Sequence, residues 1–165
     1  MTKNSLFRAT GLLIVVALAL SASMLFGSSG RPRMHANDYA AFFSLPELKR
    51  SEEPELRIWT VQGESGLITG YVVRAGEVRL YEPQAAEPRV VRTIAAGDVI
   101  RQIPRLRRVR LGRCDVVIDG GSVVVEGADR NGTFAFEIDG DCEGWNLHVV
   151  DYVLDTLNET GVTPS

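Results

Sequence analysis

Three patterns of apolar and polar positions follow one another along the chain. The first is unbroken: from Ala9 to Gly30 no charged residue occurs for 22 positions, around a core of Leu12-Leu13-Ile14-Val15-Val16-Ala17-Leu18-Ala19-Leu20. The second begins at Glu55, where apolar and polar residues alternate. Leu56–Val61, Leu67–Arg74, Glu77–Tyr81 and Arg89–Ile94 are rich in β-branched and aromatic residues and predict strands. Leu106–Arg113 and Asp115–Ile118 read as further strand material. Asp119-Gly120-Gly121 and Asn131-Gly132 are hairpin signals leading into Ser122–Glu126 and Thr133–Ile138. The third pattern has helical period: Leu147, Val150, Leu154 and Leu157 share one face, and Gly161 supplies a stop.

Between the first two patterns the chain punctuates itself. Gly27–Arg33 is a Gly/Ser/Pro linker, and Asn37 is placed to cap a short helix holding Tyr39, Ala40, Phe42 and Phe43. Ser44 and Glu47 have the spacing of a capping box, which predicts a second turn at Glu47–Arg50. Gly97-Asp98 and Pro104 bracket a segment that fits a strand or one helical turn. The expected organisation is 1–30 as signal-anchor or signal peptide, 31–54 as linker with a short helix, and 55–165 as an exported domain. Its expected fold class is α+β: an antiparallel, mostly meander β-sheet with a C-terminal amphipathic helix packed on one face, preceded by the N-terminal anchor or signal helix.

The first pattern sets the expected location. Lys3 and Arg8 precede the apolar run, the order of an export signal. As a helix, the 22 uncharged residues would reach about 33 Å, against about 30 Å of hydrocarbon. A retained single-pass anchor with residues 31–165 outside the cytoplasm is the expectation. Cleavage at Ser21-Ala22-Ser23, giving a secreted or periplasmic product, is the alternative. A pilus-type subunit would carry Glu where Val16 stands, five positions into the processed helix after Gly11-Leu12.

Composition changes this picture little. Net charge is −3, with 45% hydrophobic and 24% charged residues, as in a globular domain. Charge distribution says more. Residues 101–113 hold six arginines and no acid, whereas residues 114–165 hold eleven acids and one base, Arg130. Mutual neutralisation across the sheet is the expected outcome. On a strand, Arg107 would sit at the edge of the core face with its head in water, and Arg108 and Arg110 would pair with acids on the outer face. The competing role is anion binding, with Arg105, Arg108 and Arg110 as the candidate residues.

Candidate chemistry is sparse. Cys114 and Cys142 are the only thiols, and in an oxidising compartment they predict a disulfide. Asp139-Gly140-Asp141-Cys142-Glu143-Gly144 begins like a calcium loop, but Val150 stands where the bidentate Glu belongs. These residues are therefore expected to form an acidic turn before the last helix. His148 with Asp151 three residues on could poise a base, yet no nucleophile motif accompanies it. The expectation is an envelope-anchored binding or interaction domain without catalysis, with no catalytic or metal-binding residue and no cofactor. Its expected partners are the membrane, through the N-terminal helix, and an envelope protein. Nucleic acid is not expected, and no small-molecule substrate is identified. The alternative is a small exported hydrolase or metal-dependent enzyme using Asp139, Asp141, Glu143 and His148.

Overall fold

A computed structural model of the protein describes residues 36–63, 65–115 and 120–160. The apolar run at 9–30 and the cleavage and anchor expectations attached to it lie outside these residues. The described residues all belong to one compact unit.

The elements are α1 (Ala36–Phe42), β1 (Glu55–Val61), β2 (Ile68–Arg74), β3 (Glu77–Tyr81), β4 (Arg89–Arg92), α2 (Ala95–Ile100), α3 (Ile103–Leu106), β5 (Arg110–Asp115), β6 (Ser122–Asp129), β7 (Gly132–Asp139), β8 (Asp141–Trp145) and α4 (His148–Glu159). Six strands form one antiparallel sheet in the order β4-β3-β2-β1-β6-β7, and β5 and β8 pair separately as a two-stranded ribbon. The α+β class with a C-terminal helix holds. The first four strands are a meander, but the chain then crosses to the far side of β1.

That crossing corrects one sequence expectation. Asp119-Gly120-Gly121 does not connect a hairpin of β5 with β6, because β6 is hydrogen-bonded to β1 on one side and β7 on the other. The expected strand over Leu106–Arg113 also begins later. Pro104 occupies the first turn of α3, where its missing N–H costs nothing, and the backbone stays helical to Arg107. Asn131-Gly132 does close a hairpin, β6–β7, with Gly132 at φ 112°.

Alternation gives the sheet two different faces. Leu56, Ile58, Tyr71, Val73, Val78, Leu80 and Val125 lie on one face, buried under α2, α3 and α4. The helices contribute Ala96, Val99, Ile103, Leu106, Val149, Val150, Val153 and Leu157. Full burial of each such aliphatic side chain is worth about 1.5–3 kcal/mol, so this face holds the main core. On α4 the buried stripe is Val149, Val150, Val153 and Leu157, with Leu154 half-buried at its margin.

The opposite face is covered by the stretch before β1. Helix α1 ends in a Schellman motif: Leu45 N donates to Ala40 O at 2.8 Å and Ser44 N to Ala41 O at 2.9 Å, with Ser44 at φ 57°. Ser44 therefore closes α1 instead of opening the expected second turn, and residues 45–50 run without regular structure along the sheet. Tyr39 and Phe43 both stack against Trp59, with ring centroids 6.4 and 5.6 Å away. Trp59 lies over Gly70, its cross-strand neighbour, where a Cβ would overlap the indole ring.

Candidate functional site

Two places gather charged side chains: the covered face beyond Trp59, and the segment from α3 into the β5–β8 ribbon.

The first is an internal clamp. Glu55, Arg57, Arg74, Glu77, Arg79 and Glu126 share the face of Trp59 by strand alternation and register. All of them except Glu126 line a cavity of about 730 Å³ together with residues of the covering segment from Pro46 to Pro54. The Arg57 side chain is 2% exposed; its Nε donates to Glu55 Oε1 at 2.7 Å and its Nη1 to Pro46 O at 2.8 Å. Arg74 reaches the other Glu55 oxygen at 2.8 Å. Arg79 Nε donates to Glu77 at 2.6 Å, and that hydrogen bond holds the Glu77 carboxyl below the usual carboxylate range. Glu126 accepts a short hydrogen bond from the Trp59 indole N–H. Burial raises its pKa, while this bond and the Arg57 charge pull the other way. The arginines here are each committed to a glutamate, and Arg57 ties the covering segment to β1 through Pro46. The arrangement fixes that segment and satisfies its own charges. Sequence reasoning passed over Arg57 and Glu126; alternation puts Arg57 on the face of Trp59, but only the β1–β6 register puts Glu126 there.

The second place is the arginine segment, and it is only partly neutralised. Arg101 pairs with Asp98 one turn back. Arg107 is not the water-reaching edge residue that a strand would have made it. It caps α3, its Nη2 reaches Asp129 Oδ1 at 2.7 Å and Gly132 O at 3.0 Å, and its Nη1 reaches Thr133 O at 3.2 Å. Its guanidinium lies 5.0 Å from the centroid of the Phe134 ring. Arg107 therefore grips the β6–β7 turn.

Arg105, Arg108 and Arg110 are exposed and have no acidic partner among the described residues. Arg105 bonds Gln102 Oε1 at 3.3 Å, and Arg110 bonds the carbonyls of Val109 and Arg107 at 2.9 and 3.3 Å. The expected pairing of Arg108 and Arg110 with acids is thus not formed. The reason is topological: a helix end and a short ribbon replace the strand that would have set acids opposite them. Arg130 stands exposed on the turn that Arg107 holds, also without an acidic partner among the described residues. Val109 is buried, as its apolar character predicts.

The ribbon carries the disulfide. Cys114 and Cys142 face each other across β5 and β8 and are bonded, their Cα atoms 4.0 Å apart. The bond closes the ribbon; it does not run to the central strands. At the ribbon's other end Arg110 is paired in register with Trp145, which is 64% exposed.

The acidic run before the last helix is strand, not a turn at a helix start. Asp139 ends β7, Glu143 is exposed within β8, and α4 starts only at His148, itself exposed. The side chain of Asp141 lies outside the described residues. Among the described residues no three His, Cys, Asp or Glu side chains converge as a metal site would require. No described helix is long and apolar enough to cross a membrane. In comparisons with known proteins, no family model and no curated relative matches this sequence.

Proposed function

We propose that the protein is a membrane-anchored, extracytoplasmic binding domain that acts without catalysis. The observation that carries this reading is the arginine surface where the end of α3 meets the disulfide-closed ribbon: Arg105, Arg108 and Arg110 are exposed and have no acidic partner among the described residues. A native disulfide in a small domain belongs to an oxidising compartment. The basic, uncharged and then Gly/Ser/Pro order of residues 3–33 supports export with a retained anchor. Arginines left without acids favour a ligand with negative charge over a purely structural role. An envelope protein is the further partner in this reading.

The test is fractionation of the full chain from its own cells. The protein should stay in the membrane pellet after carbonate extraction, and a protease added from outside should remove residues 36–160. Mass spectrometry of non-reduced peptides should recover Cys114 linked to Cys142. A mature chain starting near Met24 in a soluble fraction would overturn the anchor. Two alkylatable thiols in the native protein would overturn the extracytoplasmic placement.

A further inference from the structure

We infer that the β5–β8 ribbon and the adjoining end of α3 form a docking surface for an anionic lipid bilayer, with Trp145 inserting at the interface beside Arg105, Arg108 and Arg110. The inference rests on the proposed reading of residues 9–30 as an anchor.

The surface combines two kinds of group. Arg105 and Arg108 lie one helical turn apart at the end of α3, with Arg108 N bonded to Arg105 O at 2.9 Å. Arg110 opens β5, and Arg130 stands on the turn that Arg107 ties to this same end of the fold. Trp145 is directly opposite Arg110 in the antiparallel register, so the two project from one face of the ribbon. An exposed indole is costly in water but suits the headgroup boundary, where its ring meets acyl chains and its N–H meets polar groups. Arginine beside it supplies charge for phosphate. The acids of the ribbon are also in view: Glu143 is exposed, and Asp115 lies 3.4 Å from Arg113, both of them largely exposed. Neither is bonded to Arg105, Arg108 or Arg110.

The ribbon's construction fits this task. Two short strands outside the main sheet are marginal in water. The Cys114–Cys142 bond ties the two strands together at one end, and a register shift between Leu111 and Cys114 separates it from the Arg110–Trp145 pair at the other. Chain length decides for a bilayer over a soluble acidic partner. Only five residues lie between Gly30, the end of the uncharged run, and Ala36, the start of α1. Fully extended, the six residue-to-residue steps from Gly30 to Ala36 span about 20 Å, so an anchored domain stays within reach of the lipid surface at all times.

The experiment uses the full chain reconstituted into nanodiscs of brominated phosphatidylcholine, with or without phosphatidylglycerol. Bromine quenches indole emission on contact. Trp59 is fully buried, so the difference between wild type and Trp145→Phe reports Trp145 alone. The expected result is quenching of Trp145 in phosphatidylglycerol discs, absent in neutral discs. It should be lost at about 1 M salt, where the screening length falls to about 3 Å. Arg105→Gln with Arg108→Gln and Arg110→Gln should reduce quenching to the neutral-disc level while circular dichroism is unchanged. Equal quenching in both discs, none in anionic discs, or a triple variant that behaves as wild type would overturn the inference and leave the anchor standing. A chain that does not incorporate into discs would overturn both.

Discussion

Arg57 and Ile58 are neighbours on β1, both essentially excluded from water, yet they are buried by different means. Ile58 belongs to the helix-covered face, where aliphatic side chains from α2, α3 and α4 fill the space without directional demands. Arg57 belongs to the face covered by residues 36–54, where stacked rings give way to a row of ion pairs. The helix-covered face gains its stability from area removed from water. The other face gains position: a charged group cannot shift by an ångström without losing a partner, so the covering segment has one seat. A core made of area tolerates rearrangement, and a core made of pairs specifies a single arrangement.

The sharpest contrast comes from placing the same kind of defect on each face. Ile58→Asp puts a charge among aliphatic groups with no partner, and the domain should fail to fold, as read by loss of a cooperative thermal transition. Arg57→Met should leave it folded at a cost of about 2–3 kcal/mol, less than for a fully orphaned buried charge, because Arg74 still faces Glu55. Hydrogen exchange should then show residues 45–54 opening ahead of the sheet. Exchange that rises uniformly across the domain would show that Arg57 does not act through the covering segment.

The two faces each contain a glycine overlain by an aromatic ring from its cross-strand neighbour, Gly70 under Trp59 and Gly127 under Phe134. Adding a methyl group forces the ring aside at about 1–3 kcal/mol. Trp59 is held by Tyr39 and Phe43, whereas Phe134 is only half-buried. Gly70→Ala should therefore sit at the upper end of that range and Gly127→Ala at the lower end, by denaturant midpoints. Equal losses would mean that the stacked rings add no rigidity.

A smaller and pH-dependent effect is expected at Glu126. In the unfolded chain a glutamate ionises at about pH 4.3, but burial makes Glu126 keep its proton to higher pH in the folded protein. Between those two values the native state binds the extra proton, so this residue's contribution to stability falls as pH rises through that window. Glu126→Gln keeps an oxygen acceptor for the Trp59 N–H and has no proton to lose. Its stability relative to wild type should increase from acid toward neutral pH. A difference that does not change with pH would assign no penalty to the buried carboxylate. Smallest of all, Arg105→Gln with Arg108→Gln should change the unfolding free energy by less than about 0.5 kcal/mol, since neither side chain is held by an acid among the described residues. A larger loss would move these arginines from the surface into the clamp's class.

Much of this was legible in the residues themselves. The alternation at 55–61, 68–74 and 77–81, the Asn131-Gly132 turn and the last helix depend on local backbone preference and on which side chains share a face. Such preferences act over a few residues, so reading along the chain recovers them. The disulfide was legible because two thiols allow one intramolecular pairing. The amphipathic face of α4 was read nearly in place, shifted only toward Val149 and Val153.

Tertiary structure decided the rest. Alternation says that a strand has two faces, not which strand lies beside it, so the insertion of β6 between β1 and β7 could not be read from Asp119-Gly120-Gly121. The arginine segment escapes a local reading for the same reason. Its residues fit a strand locally, but Pro104 and the packing of Ile103 and Leu106 under the sheet favour a helical turn. That turn sends Arg107 to Asp129 and leaves Arg105, Arg108 and Arg110 in water. The burial of Arg57 and Glu126 likewise depends on a covering segment that meets β1 only after the chain has folded back. Composition and period determine which side chains want to leave water; contact between distant segments determines which charges find partners.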